Sequence, residues 1–101
     1  MNDRELRRQF LRIERGGGRV RLLVCEIHWD GPGNSVSAWV VGQHLPETAT
    51  DAEVNTAASK ILEDDQYFRV CVECNERNPL GWMHDEQICQ GCAVANHGIV
   101  Y

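Results

Sequence analysis

The chain has 101 residues, 43% of them apolar and 25% charged, which is the balance of a folded domain and not of a disordered tail. That length holds one small body plus an appendage and excludes the large catalytic scaffolds. The net charge of −5 is unevenly spread: residues 1–21 hold seven of the ten basic side chains (Arg4, Arg7, Arg8, Arg12, Arg15, Arg19 and Arg21) and only three of the fifteen acids. An Arg-rich arm on an acidic body engages phosphate, meets an acidic protein patch, folds back on its own body or simply keeps an exposed helix soluble, and the last two together are the commoner outcome. No apolar run approaches the roughly 20 residues needed to cross a bilayer, and Met1-Asn2-Asp3-Arg4-Glu5 leads into charge instead of an apolar export signal. The expectation is a cytoplasmic protein with no membrane contact. A core this small leaves a thin stability margin, and five cysteines offer a staple.

Residues 3 to about 15 place Leu6, Phe10 and Ile13 at spacings of four and three, which predicts a short amphipathic helix. Gly16-Gly17-Gly18 should end it, since three successive glycines cost too much backbone entropy to continue a helix, and should form a flexible joint. Residues 19–29 are rich in Val, Leu and Ile, and residues 35–45 alternate in part, with Val36, Ala38 and Val40 on one face and Trp39 and Val41 on the other. Between them Asp30-Gly31-Pro32-Gly33-Asn34 has the chemistry of a turn, so an antiparallel hairpin is expected. Thr50-Asp51-Ala52-Glu53 reads as a capping box. It is followed by Val54, Ala57, Ala58, Ile61 and Leu62, one apolar helical stripe suited to covering the hairpin. The acids Glu63, Asp64 and Asp65 sit where the helix dipole disfavours negative charge, and fraying is expected there.

The chemistry lies in the last third, where Cys71-Val72-Glu73-Cys74 is separated by fourteen residues from Cys89-Gln90-Gly91-Cys92. Two such pairs supply four thiolates, the full tetrahedral complement of a structural zinc at about 2.3 Å each. Asn75 tolerates the left-handed conformation that lets a tight loop aim its amides at sulfur. Asn78-Pro79-Leu80-Gly81 reads as a β-turn, followed by extended pieces at Trp82-Met83-His84 and Gln87-Ile88. Cys89 and Cys92 fall on one face of the first turn of a short helix that Gly98 ends. A knuckle, a small hairpin and a helix supplying two ligands resemble the treble-clef zinc fingers over residues 70–98, and more loosely the zinc ribbons. The resemblance implies that Cys71, Cys74, Cys89 and Cys92 are metal ligands, and it does not fix a function.

Other readings of the cysteines fit less well. Disulfides need an oxidising compartment and leave one of five thiols over; a redox pair needs only one motif beside a βαβ unit. Iron shares the four-thiolate set and ranks behind zinc. A zinc deaminase fits Cys71-Val72-Glu73 but would require Pro where Ile88 stands and would leave Cys74 unused. His84 and His97 are expected to brace the site without ligating it. Cys25 reads as a small buried strand residue, and Trp29 and Trp39 as core or cross-strand aromatics. His28 and His44 have no assigned partner.

The expected fold is therefore α+β: an N-terminal helix, a β-hairpin and an amphipathic helix, followed by a C-terminal four-cysteine zinc finger. Its parts are an Arg-rich helix and Gly hinge (1–18), a hairpin and helix unit (19–69) and the zinc module (70–101). No catalytic constellation or open metal position can be read from the chain, so no enzymatic activity is expected. The expected function is a zinc-stabilised module that binds another protein, with Trp82, Met83 and Tyr101 as residue types enriched at interfaces. The alternative is nucleic-acid binding through residues 4–21, with Arg7, Arg8 and Arg12 on phosphates. Residues 70–101 offer only Arg77 as a base against Glu73, Glu76, Asp85 and Glu86, and four thiolates with a zinc ion would move the net charge from −5 to about −7.

Overall fold

A computed structural model describes residues 2–31 and 33–100; Pro32 of the expected turn and Tyr101 of the expected interface set lie outside them. Helix α1 spans Asp3–Phe10, and the Asn2 side chain caps it by accepting from the Glu5 amide at 2.9 Å. The helix expected to reach about residue 15 stops at Phe10. Leu11–Gly16 is instead a strand, β1, paired antiparallel with β2 (Arg19–Trp29). Leu11 and Ile13 also satisfy the two-residue period of a strand, and pairing opposite Val24 and Leu22 overrides the local helical spacing. The expected glycine joint is a hairpin loop: Gly16 pairs with Arg19, and Gly17 and Gly18 both take positive φ, +61° and +76°, as a two-residue turn of the I′ kind requires.

Strand β3 (Ser35–Pro46) completes a three-stranded antiparallel sheet of order β1-β2-β3. The β2–β3 turn closes as expected, with the Asp30 amide donating to the Asn34 carbonyl at 2.8 Å. The pairing slips at Leu22/Leu23, where Leu22 faces Gln43 but Leu23 faces Val41, so that Gly42 is the extra residue of a bulge. This explains the partial alternation of β3, because the parity facing the core switches from Leu45 on one side of the bulge to Val40 on the other. A Cβ at Gly42 would lie 2.9 Å from Val24 Cγ2.

Helix α2 (Asp51–Leu62) carries the expected capping box, with the Glu53 amide donating to Thr50 Oγ1 at 3.2 Å and Glu53 Oε1 accepting from the Thr50 amide at 3.3 Å. All five residues of its stripe are buried. They share one core with Leu6, Phe10 and Leu11, with Val20, Leu22 and Val24, and with Phe68. The acids after the helix form a turn, in which the Asp64 carbonyl accepts from the Tyr67 and Phe68 amides and its carboxylate from the Gln66 amide. Strands β4 (Phe68–Val70) and β5 (Arg77–Pro79) form a small antiparallel ribbon, followed by a 3-10 turn at Leu80–Trp82 and helix α3 (Gln90–His97). No helix among the described residues is long and apolar enough to cross a membrane.

Candidate metal centre

Each cysteine pair is positioned by its own local structure. Beyond the last ribbon pair, Val70 with Arg77, the Cys71 amide donates to the Glu76 carbonyl at 2.9 Å. The Asn75 amide then returns to the Cys71 carbonyl at 2.8 Å, and Asn75 takes a left-handed φ of +59°. The knuckle thereby folds Cys74 back toward Cys71. The second pair follows a loop in which Asp85 Oδ1 accepts from the Gln87 and Ile88 amides at 2.7 and 2.9 Å and the His84 amide donates to the Ile88 carbonyl. Cys89 is the N-cap of α3, its sulfur accepting from the Cys92 amide at 3.5 Å, and Gly98 ends the helix with a left-handed φ of +65°. Cys89 therefore precedes the first helical turn instead of lying within it. A bond from the Val72 amide to the Gln87 carbonyl at 2.9 Å ties the two halves together.

The four sulfurs, Cys71, Cys74, Cys89 and Cys92, lie within 4.8 Å of one another, with Cys71 to Cys92 at 3.7 Å and Cys74 to Cys89 at 3.9 Å. A tetrahedron with metal–sulfur bonds of about 2.3 Å has edges of roughly 3.8 Å, so the donor set fits one tetrahedral ion. A disulfide needs about 2.05 Å, and all five cysteines are free thiols. Cys71 and Cys89 are buried, Cys92 is half-buried and Cys74 is exposed. Burial pushes the Cys71 thiol up, but the amides of Cys74, Cys89 and Glu73 outweigh it and bring the thiol down to about 6. The Cys92 thiol is pushed up, first by its hydrogen bond with Cys89 and then by burial and the other two thiols. At Cys74 the Glu76 amide favours the thiolate, yet burial and the Cys71 and Cys89 thiols together raise it. One thiolate is thus stabilised in advance, while the thiol form of Cys74 and Cys92 is favoured until a cation offsets the charge of their neighbours.

The structure brings His97 close to the knuckle by a route invisible in the sequence. Glu73 accepts from Asn96 Nδ2 at 2.9 Å and lies 2.7 Å from His97 Nε2, which clamps the end of α3 to the loop between Cys71 and Cys74. These contacts hold the Glu73 carboxyl below its ordinary range. Backbone amides of Gln87 and Ile88 do the same for Asp85. His84, Asp85 and His97 line a cleft of about 360 Å³ with Glu73, and the metal-capable cluster among the described residues is made of the four cysteines. The deaminase pattern does not fit, because Cys74 belongs to the cluster and Glu73 is held by α3.

Of the residues expected to touch a partner, Trp82 is half-buried with its ring edge-on to Phe10 at 5.2 Å. Trp29 and Trp39, expected as core or cross-strand aromatics, take cross-strand positions opposite Ser35 and Cys25 and are exposed, at 46% and 39%. Cys25 is only partly buried. Trp29 Nε1 donates to the Gly81 carbonyl at 2.6 Å, and a Cβ at Gly81 would lie 2.5 Å from the Ile27 carbonyl oxygen, so the 3-10 turn sits directly on β2. Much of the basic segment folds back on the body. Arg7 donates to Asn55 at 2.6 Å, Arg15 pairs with Asp51 at 3.2 Å, Arg21 pairs with Glu14 at 2.7 Å, and the Arg12 guanidinium lies 4.3 Å over the Trp39 ring. Arg8 is exposed.

Fold and site together define an α+β protein with a C-terminal cluster of four cysteines placed to bind a metal ion. No protein-family model, curated protein or solved structure matches the chain.

Proposed function

We propose that the chain is a zinc-stabilised, non-enzymatic module that binds another protein. The observation that carries this reading is the cluster of four mutually close thiols, which fills a tetrahedral ion's coordination and leaves no position for substrate. The knuckle, ribbon and capped helix around it support the treble-clef resemblance. Zinc is the ion that suits four thiolates in a reducing, cytoplasmic setting, with iron as the competitor. Its role is thermodynamic: binding free energy becomes folding free energy for a segment with little core of its own. Exposed Trp29 and Trp39 replace Trp82 as anchors of the kind enriched at interfaces. The engagement of Arg7, Arg12, Arg15 and Arg21 within the chain favours a protein partner over nucleic acid.

Native mass spectrometry with elemental analysis tests the metal: one zinc per chain is expected, chelation should unfold the knuckle and α3, and a metal-free chain in which that segment stays folded overturns the reading. Titration with duplex DNA and with RNA tests the partner class. Affinity that falls steeply with salt and disappears when Arg7, Arg8 and Arg12 become Ala would replace the protein-binding reading with a nucleic-acid one.

A further inference from the structure

The outer edge of β3 has a composition unlike the rest of the chain. Sheets carry unpaired amides and carbonyls at their edges, and proteins blunt such edges with charge, proline or short strands. The opposite edge strand, β1, is protected in this way by Arg12, Glu14 and Arg15 within six residues. Strand β3 is twice as long, and its sequence SVSAWVVGQHLP contains no Lys, Arg, Asp or Glu and has its one proline at the last position. Among the described residues β3 pairs only with β2, and no other hydrogen bond reaches residues 35–45. Helix α2 flanks the end beyond the bulge, where Ala52, Glu53, Thr56 and Lys60 border Gln43 and Leu45. Residues 35–41 do not border that contact. They are exposed apart from Val40, with Val36 at 50% and Val41 at 41%.

From this edge we infer that two copies of the chain associate through residues 35–41 of β3, antiparallel about a two-fold axis at Ala38, to make one six-stranded sheet. Self-pairing is argued from charge and shape. A chain of net charge −5 repels its own copy over most of its surface, and this uncharged strand is where two copies meet without opposing like charges. About an axis at Ala38, Ser37 stands opposite Trp39 and Ser35 opposite Val41 on one face, each a small residue facing a large one. On the other face Val36 stands opposite Val40 and Ala38 opposite itself. Opposed residues of an antiparallel pair share a face, so every pair is apolar or small against apolar. The arrangement is isologous and closes at two copies. Arg12 stays stacked on its own Trp39 and is not required at the seam. Seven residues a side is far below the roughly 20–30 of a standard interface, so the dimer is weak and concentration-dependent. This inference does not rest on the metal assignment, and it claims for a second copy the Trp39 that the proposed function offers to another protein.

Sedimentation equilibrium of the full chain, with and without added zinc, tests it over a concentration series. The weight-average mass should rise from 11.5 kDa toward twice that value and no further. Ala38→Lys and Ala38→Glu each place like charges opposite one another at the axis and should raise the dissociation constant by more than about tenfold, while an equimolar mixture of the two restores the dimer. Glu26 is the β2 partner of Ala38, so the Glu variant is checked for folding by circular dichroism, and Val36→Lys is a second disruptive variant. Four results overturn the proposal. They are a wild-type chain that stays monomeric, a dimer indifferent to these substitutions, a lysine–glutamate mixture that stays monomeric, and growth beyond two copies. A monomeric wild type would leave the edge to a strand from another protein.

Discussion

Replacing Gly81 with Ala tests how the metal-bearing segment is fixed to the sheet. The added Cβ would meet the Ile27 carbonyl oxygen at 2.5 Å, Ile27 Cβ at 2.6 Å and Ile27 Cγ2 at 3.0 Å. Two of those atoms belong to the rigid part of a central strand, so relief requires the 3-10 turn to lift from β2. The turn also carries the carbonyl that accepts from Trp29 Nε1 at 2.6 Å and the Trp82 ring that meets Phe10 at 5.2 Å. Overpacking of this kind costs about 1–3 kcal/mol, and the loss of a half-exposed hydrogen bond adds about 1 kcal/mol, so Gly81→Ala should cost about 3 kcal/mol. Gly42→Ala meets Val24 Cγ2 at 2.9 Å and Ile61 Cδ1 at 3.3 Å; Val24 is buried and stiff, but no backbone atom is nearer than 3.5 Å, so it should cost about 1–2 kcal/mol, less than Gly81→Ala. Gly91→Ala meets nothing nearer than Cys89 Sγ at 3.9 Å and lies in α3, so it should be neutral or slightly stabilising. Urea unfolding of metal-loaded protein, followed by tryptophan fluorescence, ranks the three. A Gly81→Ala chain as stable as wild type, or less affected than Gly42→Ala, refutes the docking argument.

Thr50→Ala removes the acceptor for the Glu53 amide and should cost about 1 kcal/mol in thermal or urea unfolding, with Glu53→Gln costing less because it keeps an acceptor. The Glu73 carboxyl is held below its ordinary 4.5 by His97 and Asn96. Its contribution is therefore present above that value and lost as the pH falls through the lower folded one. The stability difference between wild type and Glu73→Gln, compared at about pH 7 and again below about pH 4, should shrink toward zero on acidification, and a constant difference would sink the clamp. Because Cys74 and Cys92 are raised and ligands must ionise, zinc binding at neutral pH should release protons. Calorimetric enthalpies should then vary with the buffer's ionisation enthalpy, and identical values in phosphate and Tris would contradict this.

The parts legible in the sequence are those encoded by neighbours in the chain. Thr50 and Glu53 are three apart, the stripe of α2 repeats within one helix, and each cysteine pair is four residues long. What was not legible depends on partners far along the chain. Leu11 and Ile13 suit a helix or a strand equally, and only Val24 and Leu22 across the hairpin decide for the strand. The turn expected at residues 78–81 is displaced, since Pro79 is extended at the end of β5 and the turn closes with the Met83 amide on the Leu80 carbonyl. Trp82 read as an anchor because nothing nearby reveals Phe10 as its neighbour. The bond from Trp29 to the Gly81 carbonyl was hidden because it spans 52 positions. The clamp from Glu73 to Asn96 and His97 joins residues that come together only when the four thiols converge.

The connections of the metal centre to the sheet are unequal, and this sets an order for its loss. Strand β4 begins with Phe68, 1% exposed in the main core and edge-on to Phe10 at 6.4 Å, and three residues later delivers Cys71. The middle of the segment is anchored by Gly81 and Trp82 on β2 and Phe10. Helix α3 has a weaker hold: Ala93 is its one buried residue, and beyond the Glu73 clamp and a long bond from Gln90 Nε2 to the Gly81 carbonyl at 3.4 Å it is tied in by Cys89 and Cys92. Eight residues are too few for a helix to persist alone in water. Chelation should therefore release α3 and the knuckle while β4, the 3-10 turn and the sheet keep their contacts. In hydrogen exchange after chelation, the amides of Cys92 and Ala93 should lose protection while those of Leu22 and Val24 keep it. Uniform loss across the chain would mean that the ion supports the sheet core as well, and unchanged protection in α3 would mean that the Glu73 clamp, the Gln90 bond and the burial of Ala93 hold the helix without metal.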